Sequence, residues 1–257
     1  MYLRMRQICL VTHDIDKVTD QLFNVFGLEV CHRDPAIEQR GLQNALLPIG
    51  STFLEVVAPI RDGTAAARYL ERRGGDGGYM FIADCDDVAR RRGRMRELGI
   101  RVVSESRKTG WASYEEFQLH PRDTGGTLIS ISTHAAGEDT SGDWHWAGPN
   151  RTKCAQGRLV KSVVGVEIQS ADPEPLAARW SQIFEVPVTN APKEGLSLVL
   201  DVGFVRFVHD RDGRGEGLAA VHLEVLDRGR IMASARSEGL RLADDSVDIC
   251  GTRFYLY

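Results

Sequence analysis

In the phrase YEEFQLHP two carboxylates, Glu115 and Glu116, stand just ahead of an imidazole, His120. Carboxylates and imidazoles are the groups that most often move protons in an active site. Adjacent residues on a strand point to opposite faces, so only one of the two glutamates can face a buried site. His13, His32 and His120 all fall at strand ends, where exposed or locally hydrogen-bonded imidazoles are expected. His120 is also a candidate for the border of a pocket. The chain has no Walker loop, no G-x-G-x-x-G after a strand, no G-x-S-x-G and no H-E-x-x-H. The glycines of RRGGDGGY follow a helix-like segment and read as a connection rather than a phosphate cradle. The five cysteines, Cys9, Cys31, Cys85, Cys154 and Cys250, form no CxxC pair, and their odd number argues against a disulfide framework. Four of them sit in or beside apolar runs, as small core residues would in a reducing cytoplasm.

The elements that must position these groups repeat along the chain. ICLVTHDIDKVTDQLFNVFGLEV runs from an apolar strand through Asp14, a good N-cap, into a helix that ends at Gly27. Val18, Leu22, Phe23 and Phe26 recur at helical spacing and are expected to form its buried face. The pattern returns with Asp87 and Gly99, with Asp172 and Pro173, and with Asp227 and Gly239. In the third copy Glu185 stands where glycine is expected. Strand-like runs follow each copy, so each module reads β-α-β-β-β. The fold expected is α+β, with tandem βαβββ modules pairing into two domains. Residues 1–134 form the first domain, 135–157 a linker and 158–257 the second. The linker holds Trp144, His145 and Trp146, which a bare tether would not carry; they are expected to pack on a domain, at its surface or over a pocket mouth.

With 257 residues, a net charge of −4 and no basic stripe, the chain has no electrostatic footprint for nucleic acid. The run RRRGRMR, from Arg90 to Arg96, lies on a helix and reads as a solvated face. No apolar run approaches the ~18 residues that span a bilayer. The first residues, MYLRMRQICLV, are too short and too quickly interrupted for a signal peptide. A cytoplasmic protein is expected, with a small-molecule ligand or substrate as partner and a homodimer as one assembly open to it.

The stretches FGLEVCHRD, LLPIGSTFLEVVAPI, ARYLERRGGDGGYMFIADCDDV and LHPRDTGGTLISIS, spread over residues 6–133, resemble the vicinal oxygen chelate superfamily, and within it the methylmalonyl-CoA epimerases. The second half is more weakly similar, through VGVEIQSADPEPLAARW and CGTRFYLY. The superfamily includes glyoxalase I, extradiol dioxygenases and bleomycin-resistance proteins. The resemblance implies a cupped sheet in which four ligand positions hold a divalent ion, which polarises a carbonyl while a proton leaves the next carbon. On this chain those positions are Gln7, Glu55, Met80 and Ser130, where the relatives carry histidine at the first and third and glutamate at the fourth. A thioether and a neutral hydroxyl are poor ligands for such ions, so the set is incomplete, with Gln7 and Glu55 its weak metal candidates. The epimerases also use a glutamate before the third strand, and Glu38, in AIEQRG, is near that place. In the second half the matching positions are Gly165, Arg206, Ala220 and Tyr255. Side chains two apart share a face, which adds Glu167 and His222. Glu167, Arg206, His222 and Tyr255 would form either a structural ion pair with a satisfied histidine or an acid-base or anion-binding site.

Three functions are open on these residues. One is an isomerase, epimerase or lyase acting beside a carbonyl of a small organic acid or thioester, metal-depleted, with Glu55 as base and Gln7 and Ser130 as donors to the substrate. The second is a protein that binds or sequesters a small molecule without turning it over. The third is a metal enzyme with substituted ligands, such as Glu55, Gln7 and His222. No cofactor is expected with certainty, and a divalent ion would have to bind an incomplete set. None of the four module-opening positions, Gln7, Met80, Gly165 and Ala220, carries histidine.

Overall fold

The computed structural model describes residues 1–109, 113–135, 137, 139, 144–148, 159–191 and 195–257. Most of the expected linker, Cys154 included, lies outside the described residues. The first module has β1 (Leu3–Val11), α1 (Ile15–Phe26), β2 (Leu42–Ile49) and β3 (Thr52–Pro59), followed by α2 (Ala65–Arg73). The second has β4 (Gly77–Cys85), α3 (Val88–Glu97), β5 (Val102–Lys108), β6 (Tyr114–Leu119) and β7 (Leu128–His134). The third has β8 (Val160–Ser170), α4 (Pro173–Phe184), β9 (Val188–Ala191), β10 (Gly195–Val199) and β11 (Phe204–His209). The fourth has β12 (Gly217–Val225), α5 (Arg228–Ser237), β13 (Leu242–Ala243), β14 (Ser246–Ile249) and β15 (Thr252–Leu256). The architecture is the α+β arrangement expected, with strand orders β2-β3-β1-β4-β7-β6-β5 and β13-β14-β15-β12-β8-β11-β10-β9. No helix among the described residues is long and apolar enough to cross a membrane.

The caps form as the sequence predicts, with one variation. Asp14, Asp87 and Asp227 accept hydrogen bonds from the backbone N–H groups of Lys17, Arg90 and Arg230. Asp172 makes no such bond, and Pro173 opens α4 instead. The first module departs from the repeat: Pro35 opens a 3-10 helix, Pro35–Arg40, where the other modules place a strand. Proline cannot donate to a ladder, so pairing shrinks to an isolated bridge between His32 and Leu46.

The chain forms two compact units, each discontinuous in sequence. The first comprises residues 1–7, 79–145 and 165–218; the second comprises 8–78, 146–164 and 219–257. In the first unit, Phe81, Ala83, Phe117, Leu119, Ile129 and Ile131 are fully buried on one face of β4, β6 and β7. Phe81 meets Trp180 and Phe184 of α4 with ring centroids 5.7 Å apart in both cases. Three of the arginines of α3, expected to be solvated, instead serve this packing, while Arg92 pairs with Glu105 and Glu115 and Arg96 is exposed. Arg91 is buried and donates to the Phe184 carbonyl at 3.0 Å, and Arg94 donates to the Gln182 carbonyl at 2.7 Å. Arg90 reaches Glu185 at 2.7 Å. Three cations thus meet the carbonyl end of α4, where the helix dipole is negative. They also explain how Glu185 holds the left-handed backbone, φ 57°, that glycine adopts in the other copies.

In the second unit α1 packs against α5, and Phe26 meets Phe254 at 5.3 Å. Ile15, Val18, Leu22, Val25 and Phe26 form the buried face of α1. Phe23, expected there, is 53% exposed. It lies one residue, or 100°, from Leu22, and the buried stripe is too narrow to include it.

Candidate functional site

The first unit has a polar face opposite its apolar core. Strand register aligns Asp84, Ser132, Glu116 and Ser106 in one row, and Ile82, Ser130 and Gln118 in the next. Glu116 is 6% exposed. Its carboxylate accepts from Gln118 Nε2 at 3.1 Å, from Ser106 Oγ at 3.0 Å and from the Ser130 hydroxyl. Glu115, on the opposite side of β6, pairs with Arg92 at 2.9 Å. Only one of the two glutamates therefore faces this side, and it is Glu116. Ser130 donates directly to the carboxylate, so an acid group from the neighbouring strand reaches a position that itself has only a hydroxyl.

At the far end of that face lies a second buried cluster. Arg4 donates to Asp84 Oδ2 from Nε at 3.0 Å and from Nη2 at 2.7 Å. His134 Nδ1 stands 3.7 Å from Asp84 Oδ1, too far for a hydrogen bond. Burial and then the Asp84 charge push the Tyr2 phenol up to about 12. Trp144 is 2% exposed and lies against His134 with ring centroids 4.4 Å apart and planes tilted by 37°, and its Nε1–H donates to Gln7 Oε1 at 2.6 Å. The side chain of the linker stretch is thus seated on a sheet face and uses Gln7 as its anchor. Met80 and Ser130 are buried on the same unit.

In the second unit Glu55 is 7% exposed on β3. Its Oε1 accepts from Asn44 Nδ2 at 2.8 Å, and Asn44 Oδ1 accepts from the Asp34 backbone N–H at 2.8 Å. The amide of Asn44 is therefore held at both ends and fixes the carboxylate. The Cys9 thiol lies beside it. Burial first, then the charge of Glu55 and the hydrogen bond to it, raise that thiol well above its ordinary value. Glu38, the other candidate base, is exposed on the 3-10 helix whose N-cap is Asp34.

The four candidates of the second half form two pairs. Glu167 and Arg206 are register partners on β8 and β11 of the first unit, 3.4 Å apart. His222 and Tyr255 are register partners on β12 and β15 of the second unit, with rings stacked at 4.8 Å. His222 Nδ1 also meets the Tyr257 hydroxyl at 2.8 Å. Gly165 has a packing reason to lack a side chain, since a Cβ there would lie 2.5 Å from the Phe204 ring. His120 caps a short 3-10 turn, its Nδ1 accepting from the Arg122 N–H at 3.1 Å.

Sequence reasoning missed Asn44, the Arg4–Asp84–His134 cluster and the service of Glu116 to Ser130. The alternation along β6 was the available signal for Glu116. The Asp84 contacts join residues far apart in sequence and have no local pattern, whereas Asn44 meets Glu55 across the β2–β3 hairpin, eleven residues on.

A family model described as a glyoxalase-like domain matches residues 8–184. The chain is 25% identical over 128 residues to the mitochondrial methylmalonyl-CoA epimerase of Bos taurus, across 50% of this chain and 73% of that protein. It is 25% identical over 130 residues to the ethylmalonyl-CoA/methylmalonyl-CoA epimerase of Cereibacter sphaeroides, across 50% of this chain and 96% of that one. Among solved structures, a hypothetical protein from Staphylococcus aureus shares the fold over 100% of this chain and 99% of its own, with a TM-score of 0.69 at 12% identity.

Proposed function

The chain belongs to the glyoxalase-like domain family, and on that premise we propose that it is an isomerase- or epimerase-type enzyme acting beside the carbonyl of a small organic acid or thioester. Glu55 is the base. One observation carries this: a buried carboxylate fixed by Asn44, whose own amide is tied to the Asp34 backbone. Glu55 takes the proton from the carbon next to the carbonyl, and the bonding pair moves onto the carbonyl oxygen as an enolate. Return of the proton to the opposite face of that carbon, after the enolate has turned over beside the carboxyl group, restores the carboxylate and leaves the epimer. The relatives named for methylmalonyl-CoA make a CoA thioester the first substrate to try.

A divalent ion does not suit the residues present. Gln7 Oε1 is engaged by Trp144, Ser130 gives its hydroxyl to Glu116, and Met80 offers only a thioether. Among the described residues no group of three or more His, Cys, Asp or Glu is placed to hold a metal. The engagement of Gln7 by Trp144 favours a second reading, a protein that holds a small molecule unchanged.

The test is solvent-deuterium incorporation at the α-carbon of methylmalonyl-CoA and of a panel of short acyl thioesters and 2-substituted acids, read by mass spectrometry. Wild type should incorporate one deuterium, and Glu55→Gln, checked for folding by circular dichroism, should be slower by ~10²–10⁴-fold. Equal exchange by the variant removes Glu55 as the base. Binding without exchange by wild type supports the second reading.

A further inference from the structure

The polar face of the first unit holds an aromatic ring with three different groups. The His134 and Trp144 rings lie 4.4 Å apart, centroid to centroid, with their planes tilted by 37°, the Arg6 guanidinium lies 5.5 Å from the ring centroid, and Gln7 Oε1 accepts the ring N–H at 2.6 Å. A close aromatic neighbour, a cation over the ring and an acceptor for the ring N–H together make a recognition site for a flat N–H-bearing heterocycle. The indole satisfies that site only in part. Among the described residues Asp84 Oδ1 and both ring nitrogens of His134 are buried and have no hydrogen-bond partner. Indole has a single polar atom, and Gln7 uses it. Buried polar atoms without partners are rare and costly in folded proteins, so a site with three of them favours an occupant with more polar atoms than indole. Arg4 takes Oδ2 twice, which leaves Oδ1 as the free acceptor of the Asp84 carboxylate. The missing partner for that oxygen is therefore a donor.

We propose that this face is a binding site for a planar nitrogen heterocycle carrying both a ring N–H and an exocyclic amino group, and that Trp144 is its internal, displaceable occupant. The ring N–H takes Gln7, the flat face takes His134 and Arg6, and the amino group extends over the edge of the imidazole to Asp84 Oδ1, 3.7 Å from His134 Nδ1. The site lies wholly within the first unit and stands or falls apart from the role of Glu55.

The test compares indole, 1-methylindole, benzimidazole and 2-aminobenzimidazole on wild type and on Trp144→Ala, by isothermal titration of the full chain. Trp144→Ala should bind indole at least 10-fold more tightly than wild type does. Methylation of the ring nitrogen should weaken binding to Trp144→Ala at least 10-fold. The amino group should strengthen it by a similar factor over benzimidazole. If 1-methylindole binds as well as indole, or the amino group adds nothing, the site is only an apolar hole and the proposal is overturned. Should the variant fail to fold, wild type decides. Saturating 2-aminobenzimidazole should make Trp144 accessible to acrylamide quenching, taken as the difference from Trp144→Phe, and unchanged quenching overturns displacement.

Discussion

Replacing Arg4 by methionine should cost the protein a large part of its stability. The Arg4 and Asp84 side chains are 5% and 2% exposed, and both guanidinium bonds fall on one carboxylate oxygen. The other oxygen has no hydrogen bond among the described residues, and the nearest imidazole is 3.7 Å away. Asp84 therefore depends on Arg4 to carry a charge in the interior. Removing one partner of such a pair costs ~3–5 kcal/mol, because the other is left buried and uncompensated. Asp84→Leu should cost less, because Arg4 keeps the Asp139 carbonyl at 3.2 Å and the Tyr2 ring at 4.9 Å. The double variant should cost far less than the two together, leaving a coupling of at least ~2 kcal/mol. Urea unfolding gives each value, and coincident circular dichroism and fluorescence transitions check that unfolding is two-state. Single variants that cost under ~1 kcal/mol, or a double variant equal to their sum, would refute the dependence.

Two further outcomes follow from ionisation. The Arg101 side chain is hydrogen-bonded to Asp123 and, as the largest influence, lowers its carboxyl to about 2, below the ~3.9 of an unfolded aspartate. Its stabilisation is complete above pH ~4 and is lost as pH falls towards ~2, so Asp123→Asn should flatten the melting temperature across that window; an unchanged profile contradicts the pairing. Burial raises the Cys9 thiol well above its ordinary value and the Cys85 thiol to about 12. Iodoacetamide at pH 8 should therefore label both in urea and neither in the native chain, and rapid native labelling of Cys9, read by peptide mass mapping, would place it outside the buried environment of Glu55.

The repeat was legible because caps and strand runs are local. Asp14, Asp87 and Asp227 act through amides three residues away, and that spacing is visible in one dimension. The first module loses a strand at Pro35, which the sequence also displays once the missing ladder donor is considered. Long-range service was not legible. Arg91 looks like a solvated residue on α3 until the end of α4 is placed against it, and Phe23 looks buried until the width of the stripe is known. The site followed the same division. Glu55 stood out as a carboxylate in an apolar strand, but its holder Asn44 lies on the next strand, eleven residues earlier. Nothing near Trp144 indicates that its ring would settle on Gln7, a separation of 137 residues.

The carbonyl end of α4 closes without glycine, and arginines of α3 hold it in its place. A glycine cap is indifferent to dissolved ions, since it works through backbone shape. An arginine clamp divides by depth. The contacts of Arg90 and Arg94, each about a third exposed, weaken as the Debye length shrinks from ~10 Å at 0.1 M salt to ~3 Å at 1 M. The contact of buried Arg91 does not. The last turn of α4 is thus capped by contacts that salt divides, with one buried arginine left to hold it when the two more exposed ones weaken.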